Sequence, residues 1–96
     1  MTVTYVIKFN VLPNQRNRFL ALLGELIARK RSETTFRFAE LHQDPTSTCR
    51  FMLYETWESH DDVLDVQLAR EYRNEWHRAL PELLIGDREI EIWAQL

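Results

Sequence analysis

Between Val3 and Val11 the chain alternates strictly, with Val3, Tyr5, Ile7, Phe9 and Val11 on one side and Thr4, Val6, Lys8 and Asn10 on the other. A period of two is that of an extended strand, so the chain opens on a strand with one continuous apolar face. The period then changes. Pro13 pre-sets a helical backbone angle, and Phe19, Leu22, Leu23, Leu26 and Ile27 recur at three- and four-residue steps opposite Arg16, Arg18, Glu25 and Arg29. This spacing predicts a long amphipathic helix.

Two further runs, residues 35–43 and 50–58, are rich in aromatic and β-compatible residues, and the segment between them, Asp44-Pro45-Thr46-Ser47-Thr48, is turn chemistry. They predict a hairpin. Ser59 followed by Asp62 resembles a capping box opening a short helix through Val63, Leu64 and Val66. A second helical stripe follows through Leu68, Tyr72, Trp76, Ala79 and Leu80, which Pro81 is expected to end or kink. Gly86-Asp87 turns the chain into a last strand over 88–95, alternating Ile90, Ile92 and Ala94 against Glu89, Glu91 and Trp93.

Strand, helix, strand, strand, helix, strand is the order of the ferredoxin-like split β-α-β fold of the α+β class, a four-stranded antiparallel sheet with helices on one face. Ninety-six residues with 45% hydrophobic and 28% charged composition fit one ordered domain spanning 1–96. The formal charge of −3 spreads over interspersed acids and bases, and no basic stripe points to nucleic acid. No apolar run approaches the ~20 residues of a membrane span, and the start MTVTYVIKFN lacks the features of a signal peptide, so a cytoplasmic protein is expected. Cys49 is the sole cysteine, and neither it nor His42 and His60 falls in a metal-ligand spacing.

Helices cover only one face of such a sheet, yet both faces carry apolar residues. Val6 lies behind the row Tyr5, Ile7, Phe9, while Met52 and Tyr54 lie behind Phe51, Leu53 and Trp57. A homodimer packed through sheet faces is therefore expected, with Tyr5, Ile7, Phe9 or their third-strand neighbours in the interface.

Three segments carry a resemblance. Phe9-Asn10-Val11-x-Pro13 leading into a long helix, the strand Phe51-Met52-Leu53-Tyr54-Glu55-Thr56-Trp57 followed by Glu58-Ser59, and Tyr72-x-x-x-Trp76-His77 together resemble the antibiotic biosynthesis monooxygenase family of dimeric α+β barrels. The resemblance implies a homodimer with a pocket between sheet and helices in each subunit. It also implies cofactor-free oxygenation of a small quinol-like or polycyclic aromatic molecule by O2. In quinol-type members a histidine usually sits about a dozen residues past the Tyr-Glu pair; here that neighbourhood reads Asp65-Val66-Gln67-Leu68. A haem-degrading branch resembles the chain at Asn10 and at His77 as the haem ligand, but that branch has a tryptophan where Gln67 stands.

The candidate catalytic residues are Asn10, whose amide could hold a phenol or carbonyl oxygen, and His77, as a base near neutral pH. The structural alternatives are an Asn10 bonded to the turn at Leu12-Pro13 and a His77 facing solvent beside a core Trp76. Trp57, Gln67, Tyr72 and Trp76 are the candidate substrate-binding residues, with core or dimer packing as the competing role for the aromatic three. Glu55 needs a partner if its strand is buried, and Arg37 or Arg50 is the expected one. No metal or nucleotide motif is present, so no cofactor is expected; a non-catalytic ligand-binding or stress-associated dimer is the rival to the enzyme.

Overall fold

The computed structural model describes all residues from 1 to 96. Strand β1 spans Val3–Asn10, α1 Arg16–Lys30, β2 Phe36–Gln43, β3 Arg50–Trp57, α2 His60–Asp65, α3 Asn74–Leu83 and β4 Glu89–Ala94. The four strands form one antiparallel sheet in the order β2-β3-β1-β4, with β1 paired to β3 from Val3↔Trp57 to Asn10↔Arg50. This is the ferredoxin-like α+β fold that the element order predicts.

The alternation in β1 sets the layers. Val3, Tyr5 and Phe9 are buried, and together with Phe51, Leu53 and Trp57 of β3 they make the helix-facing side of the sheet. Phe19, Leu23, Leu26 and Ile27 of α1 and Trp76, Ala79 and Leu83 of α3 close over it. Phe19 anchors this layer, with ring centroids 5.1 Å from Phe9, 5.1 Å from Phe51 and 5.8 Å from Trp76. Tyr5, Ile7 and Phe9, expected as candidate interface residues, therefore belong to the chain's own interior face, under the helices, rather than to the outward face of the sheet.

Local signals at the helix ends appear where the sequence places them. Pro13 opens a 3-10 turn ahead of α1, and Arg29 and Lys30 occupy the last turn, where positive charge favours the helix dipole. The Ser59 hydroxyl accepts the Asp62 N–H and caps α2. No helix is long and apolar enough to cross a membrane.

Two features depart from the sequence expectation. The stripe from Leu68 to Leu80 is not one helix, because Arg70 is extended (φ −62, ψ 130) and divides the segment into single 3-10 turns at Gln67–Ala69 and Glu71–Arg73 before α3 begins. Leu68 is consequently cut off from Tyr72 and Trp76, which border one groove together. Nor does α3 end at Pro81: it runs on to Leu83, since a proline this late forfeits only the bond to the His77 carbonyl. Burial of Leu83 and the Leu84 N–H bonded to the Leu80 carbonyl hold the final turn.

Candidate functional site

Between the helix-facing side of the sheet and the helices lies a cavity of about 210 Å3. Its walls are apolar, with Ile7, Phe9, Leu26, Leu53 and Trp76 among them, and its mouth is rimmed by exposed Leu64, Leu68, Ile90 and Ile92. Into this greasy wall six groups bring chemistry: Tyr5, Lys30, Glu55, His60, Arg73 and His77, with Arg88 at the edge of β4.

The polar groups are organised in pairs. The Tyr5 hydroxyl lies 2.7 Å from His60 Nδ1. Burial, and next the Glu55 carboxylate, push the Tyr5 phenol up to about 12, so it stays protonated. Lys30 Nζ donates to Glu55 Oε2 at 2.9 Å, with both residues almost fully buried. Arg37 and Arg50, expected as partners of Glu55, instead pair on the surface with Glu58 and Asp44. The reason is the pleat: Glu55 points to the helix side of β3, where the last turn of α1 delivers Lys30. Burial lowers the Lys30 pKa, while Glu55 opposes that shift.

His77 projects from α3 into the cavity. Burial above all, then the charges of Arg88, Arg73 and Lys30, hold its imidazole below the ordinary histidine value. It is thus a neutral proton acceptor at neutral pH.

The cavity gathers some of the candidate residues and leaves others out. His77 and Trp76 line it. Asn10 is exposed at the end of β1 on the side away from the cavity, where its carbonyl accepts the Ile85 N–H. Trp57 is fully buried in a smaller cluster with Val3, Tyr5 and Val63. Gln67 is buried too, its amide donating to Asp62 at 3.2 Å and its carbonyl oxygen without a partner. Tyr72 lines a separate groove with Leu22, Arg29 and Glu75, which Trp76 borders from its other side.

Sequence reasoning missed Lys30, Arg73, Arg88 and the Tyr5–His60 pair. For Lys30 the signal was present: it continues the apolar stripe of Leu23, Leu26 and Ile27, a position where a lysine must find a partner.

The fold and the cavity together define a class, a small ferredoxin-like α+β protein with an apolar, cation-lined cavity between sheet and helices. The sequence profile of the antibiotic biosynthesis monooxygenase family matches residues 2–79, and the chain belongs to that family. A protein of Pestalotiopsis microspora assigned as a monooxygenase is 29% identical over 96 residues, spanning 99% of this chain and 80% of that relative. Among solved structures, a conserved protein from Methanosarcina mazei superposes with a TM-score of 0.90 at 22% identity, covering 100% of this chain and 94% of that one. A variant of SnoaB, a cofactor-independent oxygenase from Streptomyces nogalater, superposes with 0.84 at 19% identity, covering 98% and 92%.

The haem chemistry that the resemblance at Asn10 and His77 implies does not fit this site. Asn10 is outside the cavity, and a space of about 210 Å3 is below the ~300–1,000 Å3 of pockets for drug-sized ligands, let alone a macrocycle.

Proposed function

We propose that the protein is a cofactor-independent monooxygenase that oxidises a small quinol in the cavity, with His77 as the base. The observation that carries this reading is a neutral histidine in an apolar, cation-lined chamber of a protein from this family. A cavity of ~150 Å3 accommodates a benzene ring, so about 210 Å3 favours one- or two-ring quinols over a tetracyclic skeleton.

The chemistry balances without a resident cofactor. His77 takes the proton of one quinol hydroxyl, and Arg73, Arg88 and Lys30 lower the cost of the quinolate anion left behind. That electron-rich anion reduces O2, a bond forms between one oxygen and a ring carbon, and loss of water leaves a hydroxyquinone. Both electron pairs come from the substrate; one oxygen atom enters the product and the other departs as water.

A homodimer is part of the same reading, and the outward side of the sheet is its proposed surface. Val6, Met52, Phe38, Tyr54 and Trp93 lie there across all four strands, with Phe38, Tyr54 and Trp93 exposed by 44%, 41% and 60%. Packing two copies on this face removes that apolar area from water at about 25 cal/mol per Å2.

The test is oxygen uptake with a panel of one- and two-ring quinols such as menadiol. The wild type should exceed the buffer rate and place one atom from labelled O2 in the product, and His77→Ala should lower kcat by roughly 10²–10⁴-fold. Saturable binding with no acceleration by the wild type would replace the enzyme with a ligand-binding dimer.

A further inference from the structure

Arg73 is 5% exposed, lines the cavity and lies 5.7 Å from the centroid of the Trp57 ring. Its Nε and Nη2, which share one edge of the planar guanidinium, have no hydrogen-bond partner. Arg88, half-buried at the start of β4, lines the same space. Neither arginine takes part in an ion pair, and the only carboxylate in the cavity wall, Glu55, is already engaged by Lys30. The chamber therefore holds two guanidinium charges more than its own acids neutralise. A buried cation without a counter-charge is costly to the fold, and an unsatisfied buried donor pair calls for an explanation.

We propose that the missing counter-charge belongs to the ligand: the cavity binds a hydroxylated aromatic acid of one or two rings, its carboxylate seated on the Nε/Nη2 edge of Arg73 and neutralised by Arg88. The side-on edge of a guanidinium presents two parallel N–H donors spaced for the two oxygens of a carboxylate, whereas a phenolate oxygen occupies only one. The apolar walls of Leu26, Leu53 and Trp76 suit a flat ring but not a sugar or a free phosphate. This inference rests on the cavity assigned above and narrows its substrate class.

Calorimetric titration with 1-hydroxy-2-naphthoate and with 1-naphthol, neither of which needs to turn over, tests it on the whole protein. The acid should bind at least tenfold more tightly at low salt. Arg73→Met and Arg88→Gln should each erase most of that preference, weakening the acid far more than the naphthol. Arg73→Met without ligand should melt at the same or a higher temperature than the wild type, because it removes an uncompensated buried charge; a purely structural arginine would lower it. Should Arg73→Met fail to fold, the half-buried Arg88→Gln carries the same comparison. Equal affinity for acid and naphthol, or loss of both affinities together in the variants, overturns the proposal. A preference for the acid without quinol turnover would keep this site and remove the oxygenase, while turnover without the preference would do the reverse.

Discussion

Lys30 at the end of α1 and Glu55 in β3 meet at 2.9 Å, and this buried contact is the only ion pair between the first helix and the sheet. It forms one wall of the cavity, so the residues that close the fold there also set the charge a ligand meets.

Removing one partner leaves the other charged and buried. Lys30→Met should lower unfolding free energy by about 3–5 kcal/mol, and the double variant Lys30→Met/Glu55→Leu should recover most of it. Urea unfolding of the three proteins measures both; equal stability of the single and double variants would show that Glu55 is not left stranded.

The two sides of the sheet should respond differently to a carboxylate. Tyr54→Asp, on the outward face, should leave a folded chain and shift sedimentation from two subunits to one at micromolar concentration. Phe9→Asp should instead unfold the chain, because Phe9 is 1% exposed among Phe19 and Trp76. A folded Phe9→Asp monomer would place the interface on the other face.

His77 makes stability depend on pH. Its folded-state pKa lies below the unfolded value near 6.5, so between the two the unfolded chain binds more protons and stability rises with pH. Acidification from pH 7 should therefore lower the melting temperature, and His77→Gln should flatten that slope. An unaltered slope in the variant would mean that the imidazole titrates as in water.

Asn10 and His77 should separate in binding and turnover assays. Asn10→Ala, outside the cavity, should change ligand affinity by less than twofold, whereas His77→Ala should reduce turnover with little change in affinity. A comparable loss in both would extend the site to the outward side of the sheet.

The alternation of Val3 to Val11, the helical spacing from Phe19 to Ile27, the Asp44–Thr48 turn and the Ser59 cap are local patterns, and the backbone obeys them because hydrogen bonding and burial act within a few residues. They determined the element order and hence the ferredoxin-like sheet, and the Tyr-Glu-x-Trp strand pointed to the family. The sequence also marked Glu55 as a carboxylate in need of a cation and His77 as a candidate base. Which cation answers Glu55 depended on the pleat of β3 and the last turn of α1, 25 residues apart in the chain, so only the folded molecule selected Lys30 over Arg37 and Arg50. The extended backbone at Arg70 likewise broke a stripe that looked continuous, separating Leu68 from Tyr72, and the turn that follows places Tyr72 in the outer groove and Arg73 in the cavity. Periodicity reports which residues share a face of one element; which faces meet, and which charges are trapped between them, follows from the packing of all the elements at once.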